Sequence, residues 1–319
     1  MTKISQKISL VLSACMLCTG SCTRVSDQIE PKIDYTLQDR YILQLPSPFA
    51  PLSSEEEVSD WGKEYRIAMG FAKELDLYQA ITAFKRALFL IPPKERSRKI
   101  ELDYETLLCY YMGKKYDEVI YVFENSALAF ADPSFPAYQD LLVILFDCYL
   151  HKKEVEKAKK VLEYLQAYFP AVGEKLELSK NLLEGNLPAI TACSSKPGYE
   201  YLKKLLNNYA EAKKSVTKAQ ALNSIIPGAG YLYLGQKQSA VTAFLLNGLF
   251  IGASYYFFAN NNIPAGIIFT GFEAGWYFGG IYGAGEEAKF YNERTYERYA
   301  TPVMNQQKLF PALTLQYAF

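Results

Sequence analysis

Residues 239–259 read SAVTAFLLNGLFIGASYYFFA, 21 positions without a charged side chain. Asn260, Asn261 and Asn262 follow, and a second stretch from Ile263 to Gly285 carries one charge, Glu273. A helix needs about 20 largely apolar residues to cross a hydrocarbon core. Both stretches meet that length, and a turn of three asparagines can only reverse the chain. The expectation is a two-helix transmembrane hairpin, 239–259 and 263–285, inside a membrane module spanning 224–292.

The hairpin carries its own packing pattern. Gly271, Gly275, Gly279 and Gly283 recur every four residues and make one bare ridge, and Gly248 and Gly252 do the same on the first helix. Small-residue ridges let membrane helices approach closely, because packing must hold them where the hydrophobic effect does not. The same ridges offer a route to homo-oligomers. Asn247 and Glu273 lie at similar distances from the turn. A lone carboxyl at that depth costs roughly 3 kcal/mol, so Glu273 is expected to clasp Asn247 or to serve as a proton or partner site.

The N-terminus adds a second membrane signal. Lys3 and Lys7 precede an apolar run from Ile8 to Leu17, with Cys15, Cys18 and Cys22 in or after it. A basic start and a short apolar segment are the pattern of a secretory signal, here 1–22. Leu12-Ser13-Ala14-Cys15 matches a lipobox but leaves a short apolar segment. Thr19-Gly20-Ser21-Cys22 gives a better length without the Leu. Lipidation is expected at Cys22, with Cys15 as the second candidate; an ordinary signal peptide or an uncleaved anchor are the alternatives. Residues 23–54, with Pro31, Pro46, Pro48 and Pro51, read as a tether.

The middle of the chain, 55–186, repeats. Ala80, Val119 and Ala158 stand at a step of 39 residues, and so do Phe84, Phe123 and Leu162, and Phe71, Tyr110 and Tyr149. With Ala87 and Pro92, the first copy has the offsets of the tetratricopeptide pattern: small residues where two helices approach, aromatics in the seam, and a Pro that closes the second helix. Such a solenoid presents a groove for a protein or peptide. Tyr104, Tyr111 and Tyr138 are candidates to line it, although tyrosines in helical pairs more often pack. Residues 187–223 read as a linker through Pro188–Gly198 and then one long Lys-rich helix from Glu200 to Leu222. Residues 293–319 read as a tail ending in a short strand, because Leu313, Leu315, Tyr317 and Phe319 alternate with smaller or polar residues.

Composition narrows the function. Lys and Arg number 34 against 34 Asp and Glu, so no net field draws the chain to nucleic acid. One histidine, His151, leaves no His-based metal site or triad. Beyond the signal, Cys109, Cys148 and Cys193 are no disulfide framework. No phosphate loop, nucleophile elbow or metal cluster is present. No cofactor and no enzymatic activity are expected.

The stretch Ser224-Ile-Ile-Pro-Gly-Ala-Gly-Tyr-Leu-Tyr-Leu-Gly235, the Phe-Leu-Leu-Asn-Gly run at 244–248, Phe272-Glu-Ala-Gly-Trp-Tyr277, Ile281-Tyr-Gly283 and Lys289-Phe-Tyr-Asn292 resemble a family of uncharacterised bacterial envelope proteins. Its members join tetratricopeptide-like repeats to a Pro-Gly-x-Gly two-helix membrane module. The chain departs from the family's usual Gly-Gln-Leu-Tyr at Gly230–Tyr233. The resemblance implies a role in envelope assembly and no settled activity.

The fold expected is thus all-α, a tetratricopeptide-like helical solenoid followed by a two-helix transmembrane hairpin. The function expected is a membrane-anchored scaffold of the bacterial envelope that binds or positions other proteins, with membrane lipid as a second partner. The alternative is a component of a transport or protein-insertion assembly acting through the hairpin. Lys213, Lys214, Lys218 and Lys237 before the hairpin oppose an outside placement of its ends. A signal at the start still favours periplasmic repeats.

Overall fold

The computed structural model describes residues 24–33, 41 and 44–319. The signal segment and the lipidation candidates Cys15 and Cys22 lie outside the described residues. Among the described residues the regular structure is helical and no strand forms. The chain divides into two compact units, one made of 34–182 with 301–319 and the other of 1–33 with 183–300.

The first unit holds α1 (Ser54–Val58), α2 (Asp60–Lys73), α3 (Leu77–Leu90), α4 (Arg96–Met112), α5 (Tyr116–Glu124), α6 (Tyr138–His151), α7 (Val155–Tyr168) and most of α8 (Pro170–Leu183). Ser53 opens α1 with a capping box: its hydroxyl accepts from Glu56 N–H while the Glu56 carboxylate accepts from Ser53 N–H. Glu55 to Glu57 place negative charge at the positive end of the helix dipole. From α2 onward the helices run in pairs, α2 with α3, α4 with α5, α6 with α7.

The 39-residue step is written into the backbone. Each pair turns through one left-handed residue, Leu75 (φ 59°), Lys114 (φ 55°) and Lys153 (φ 59°). The next N–H donates back across the turn, Asp76 to Phe71 O, Lys115 to Tyr110 O and Glu154 to Tyr149 O, each at 2.9 Å. This is the Schellman closure, which satisfies a carbonyl the helix end leaves open. Phe71, Tyr110 and Tyr149 therefore supply the acceptor of each turn as well as an aromatic ring.

Side chains follow the same step. Ala80, Val119 and Ala158 are buried where the helices of each pair approach, and Ala68, Leu107 and Phe146 are fully buried on the first helices. Phe84 and Ala87 are fully buried and Leu162 is nearly so, whereas Phe123 is half-buried. Ile91 ends α3 in extended backbone (φ −67°, ψ 133°), because the residue before Pro92 is excluded from the helical region. Pro170 behaves differently: it begins α8, where its missing N–H costs nothing.

The tail departs from expectation. The helix α14 (Ile263–Gln306) carries the chain to Gln306, and Pro311–Thr314 make a 3-10 turn. Residues 315–319 form no strand. They have no strand to pair with, and their N–H groups bond instead to a side chain and to an isolated carbonyl, as described below.

The second unit holds residues 24–33, α9 (Leu187–Ser194), α10 (Glu200–Ala212), α11 (Val216–Ile225), α12 (Ala229–Tyr233), α13 (Lys237–Ala259) and α14 as far as Ala300. Two sequence expectations are corrected here. The linker at 188–198 contains α9, capped by Asn186 with Pro188 in its first turn. The single helix over Glu200–Leu222 is broken at Lys213, which is extended (φ −62°, ψ 150°), and restarts behind the cap Ser215. Asn292 holds the break: its Oδ1 accepts Lys214 N–H at 2.7 Å and its Nδ2 donates to Lys214 O at 2.8 Å. One amide thus satisfies both backbone groups of Lys214, and the Tyr233 hydroxyl accepts the Ser215 N–H at 3.2 Å.

Phe84→Ala is expected to lower stability by about 3–5 kcal/mol, since it empties a fully buried seam. Phe123→Ala should cost clearly less. Chemical denaturation of the full chain in mild detergent, followed by circular dichroism, compares the two; equal losses would place Phe84 outside the seam.

Candidate functional site

One position on the first helix of each pair is where another stretch of chain lies on the first unit. At the 39-residue step it is Gly62 on α2, Glu101 on α4 and Asp140 on α6. All three are buried, and each is covered by a different stretch of chain. Gly62 lies under α1, so tightly that an added Cβ would stand 1.9 Å from Glu56 O.

Glu101 accepts the Tyr65 hydroxyl at 2.6 Å and an Arg98 N–H at 2.9 Å. Arg98 continues outward, with a two-pronged pair to Glu56 and with donors to the carbonyls of Ala50 and Pro51 at 2.7 and 2.9 Å. A bidentate guanidinium–carboxylate pair is among the stronger polar contacts available to a side chain. It pins α1 to α4, and the two carbonyl contacts pin Ala50 and Pro51 beside it. Phe49 settles there edge-on to Tyr104, with ring centroids 5.8 Å apart, and beside Phe135 at 5.7 Å.

Asp140 holds the tail. Its Oδ2 accepts the N–H groups of Gln316 and Tyr317, both at 2.9 Å. Ala318 N–H donates to Pro46 O at 3.0 Å, and the Tyr41 hydroxyl donates to Leu313 O at 2.9 Å. Ala312, Leu315 and Phe319 are buried in the same core as the helix pairs. Burial in the tail does not follow the alternation that suggested a strand: Leu315 and Phe319 are buried with Ala312 and Ala318, while Leu313 and Tyr317 are half-buried.

The tyrosines named as groove candidates are packing residues. Tyr104 is fully buried and Tyr111 nearly so, with its hydroxyl donating to Asp147 at 2.7 Å. Tyr138 is half-buried against Tyr164 and Phe169. Glu101, Arg98 and Asp140 were not singled out from sequence. Acidic residues recurring at the repeat step inside apolar helices are the signal that would have marked them.

Burial pushes these acids up. Desolvation raises Asp140 to about 6 against the two backbone donors that favour its charged form. It raises Asp103 to about 6 as well, with Lys99 pulling the other way. Glu105, fully buried with both oxygens unpartnered, is pushed well above the carboxylate range, first by burial and then by Glu101.

In the second unit the glycines have two fates. Gly228 (φ 95°) and Gly230 are sites of close approach: a Cβ would fall 2.3 Å from Ala240 O at the first and 2.4 Å from Ala219 O at the second. Asn223 accepts Gly228 N–H at 2.8 Å, and the Tyr277 hydroxyl donates to Ser224 O. Residues 223–231 thus pack onto 277–284 of α14. The predicted packing glycines behave otherwise. Gly248, Gly252, Gly271, Gly275 and Gly279 have no atom within 4 Å of an added Cβ. The contact between α13 and α14 is made by rings, Phe250 and Phe257 against Phe269 at 6.4 and 5.2 Å. The expected clasp is also absent: Asn247 Nδ2 donates to Ala243 O at 2.6 Å, while Asn247 Oδ1 and Glu273 Oε2 are buried without a partner.

Helix α13 is long and apolar enough to cross a membrane, and only 6% of its most apolar window is buried. Val241, Phe244, Leu245, Leu249, Ile251 and Tyr255 all face outward. Among the described residues it is the one helix that meets this test. The start of α14 falls short because glycines, Tyr, Trp and Glu273 dilute its apolar content. Among the described residues no group of His, Cys, Asp and Glu could hold a metal ion. Comparison with protein-family models, with curated proteins and with solved structures yields no match.

Two predictions follow from this geometry. A carboxyl raised by folding binds its proton more readily in the folded chain than in the unfolded one, so acid favours the fold. The contribution is greatest below the unfolded value of about 3.9 and is lost as pH rises through about 6. The denaturation midpoint of the first unit should therefore be higher at pH 5 than at pH 7.5. Asp103→Asn should flatten the slope; an unchanged slope would remove Asp103 as a contributor. Separately, Gly248→Ala and Gly275→Ala should leave thermal stability in detergent unchanged or raised, by up to about 1 kcal/mol of helix propensity each. Gly230→Ala should lower it, since Ala219 O blocks the added methyl.

Proposed function

We propose that the chain is a membrane-anchored, tetratricopeptide-like scaffold of the bacterial envelope that binds or positions other proteins. The observation that carries the anchor is α13, apolar around its circumference and almost wholly exposed. Apolar surface of that extent calls for lipid or a partner. In this reading α13 and the start of α14 form the hairpin, Asn260–Asn262 its turn, and lipid the covering solvent. The repeats lie in the periplasm behind the signal at 1–22. The helix pairs, with their common turn and common buried positions, support the scaffold. The role is non-catalytic and needs no cofactor. The resemblance to repeat-bearing envelope proteins points the same way.

Two observations favour a second reading. Glu273 Oε2 is unpartnered, and Gly271, Gly275 and Gly279 face open space. A transport or insertion assembly would use that surface to join copies or a partner around Glu273.

Photocrosslinking in native membranes separates the two. A crosslinker at Tyr78 or Tyr121, both exposed, should trap a partner protein, and the chain should resist extraction by alkaline carbonate. Trapping confined to positions on 239–285 would favour the assembly reading. Release of the chain by carbonate would remove the anchor.

A further inference from the structure

The tail of the first unit is bound as a ligand is bound. Residues 309–319 follow an exposed stretch, 305–308, that ends in the left-handed residue Lys308 (φ 51°). Beyond it, Leu315 is extended (φ −60°, ψ 141°). Polar contacts fix the segment to the helix pairs, to Tyr41 and to Pro46 through its backbone: Gln316 and Tyr317 N–H to Asp140, Ala318 N–H to Pro46 O, and Leu313 O from Tyr41. Its side chains contribute apolar contact: Leu309 and Phe310 are buried where the segment begins, and beyond them Leu315 and Phe319 are seated four residues apart with the small residues Ala312 and Ala318 buried. Backbone recognition is indifferent to sequence, so selectivity rests on that apolar spacing.

The same surface on the neighbouring pair is used in the same way. Arg98, held by Glu101, grips the carbonyls of Ala50 and Pro51, and Phe49 fills an aromatic seat between Tyr104 and Phe135. Successive copies of one repeat position thus each hold an extended stretch of chain by its backbone.

We propose that the face of α6 around Asp140 is a peptide-binding groove that residues 309–319 fill in cis. Its ligand in trans is an extended segment of a partner protein with bulky apolar residues four apart and small residues beside them. The inference rests on the scaffold reading and adds to it a ligand class and a control: the partner's segment and the tail exclude one another.

The test uses the full chain with a specific protease site placed at 305–308, which is exposed. The folded protein is cut, the tail is dialysed away, and a fluorescein-labelled peptide of residues 309–319 is added. The cut chain should keep its helical circular dichroism and bind the peptide at least tenfold more tightly than the uncut chain. A peptide carrying Leu315→Asp should bind at least tenfold more weakly than the unaltered one. Asp140→Leu in the cut chain should weaken binding likewise, and Asp140→Asn, which keeps an acceptor, less. Failure of the folded, cut chain to bind would overturn the proposal. So would a tail that leaves only with denaturant, or a loss of helix when it leaves, since either makes it part of the core. A partner trapped at Tyr78 or Tyr121 in equal yield before and after cutting would remove the groove as the docking face and leave the scaffold standing.

Discussion

The first unit depends on one turn, made three times. Leu75, Lys114 and Lys153 each take the left-handed conformation, which costs a side-chain-bearing residue roughly 1–2 kcal/mol. The strain is offset by the N–H that closes the helix end onto the residue at position 71, 110 or 149. Because the turn is the same each time, the second helix starts in the same register each time. Ala80, Val119 and Ala158 then arrive at the same buried place. A small residue there lets two helices approach, and Phe84 or Leu162 fills the seam one turn further on.

Acids buried in apolar helices have to be answered, and the way each is answered shapes the rest of this unit. Removing a carboxylate from water is costly unless donors replace the water. Tyr65 and Arg98 do so for Glu101, and Tyr111 does so for Asp147. Asp140 takes two backbone N–H groups from a segment 176 and 177 residues away in sequence. Glu105 has no donor and is driven toward its neutral form by burial. Acid chemistry thus decides which stretches of chain lie on the helix pairs, and the apolar residues then fill the seats those stretches create.

In the second unit glycine serves backbone contact where the motif residues meet, and bare surface where the helices run on. Gly228 and Gly230 admit Ala240 O and Ala219 O at distances no Cβ would allow. Gln236 donates to Glu287 at 2.6 Å and Asn292 clasps Lys214, so residues before α13 are joined to the middle of α14. Gly271, Gly275 and Gly279, by contrast, leave a smooth apolar surface next to an unpartnered carboxyl oxygen.

The order of amino acids alone dictates the helical class, the 39-residue step and the apolar run of α13. These rest on residues whose preference is local or periodic: small and aromatic residues at fixed spacing, a Pro that excludes helix before it, a long stretch without charge. It also marked Phe84 and Ala80 as core, because a repeat copies its buried positions. Where polar groups find partners depends on contacts between segments far apart in the chain. The break at Lys213 exists because Asn292, 78 residues on from Lys214, bonds both of its backbone groups. The tail is not a strand because Asp140, rather than another strand, takes its N–H groups. The ridge glycines read as a packing surface, yet the aromatic rings of α13 and α14 make the contact and leave Gly271, Gly275 and Gly279 open. Such pairings join residues distant in sequence, and local pattern has no means to encode them.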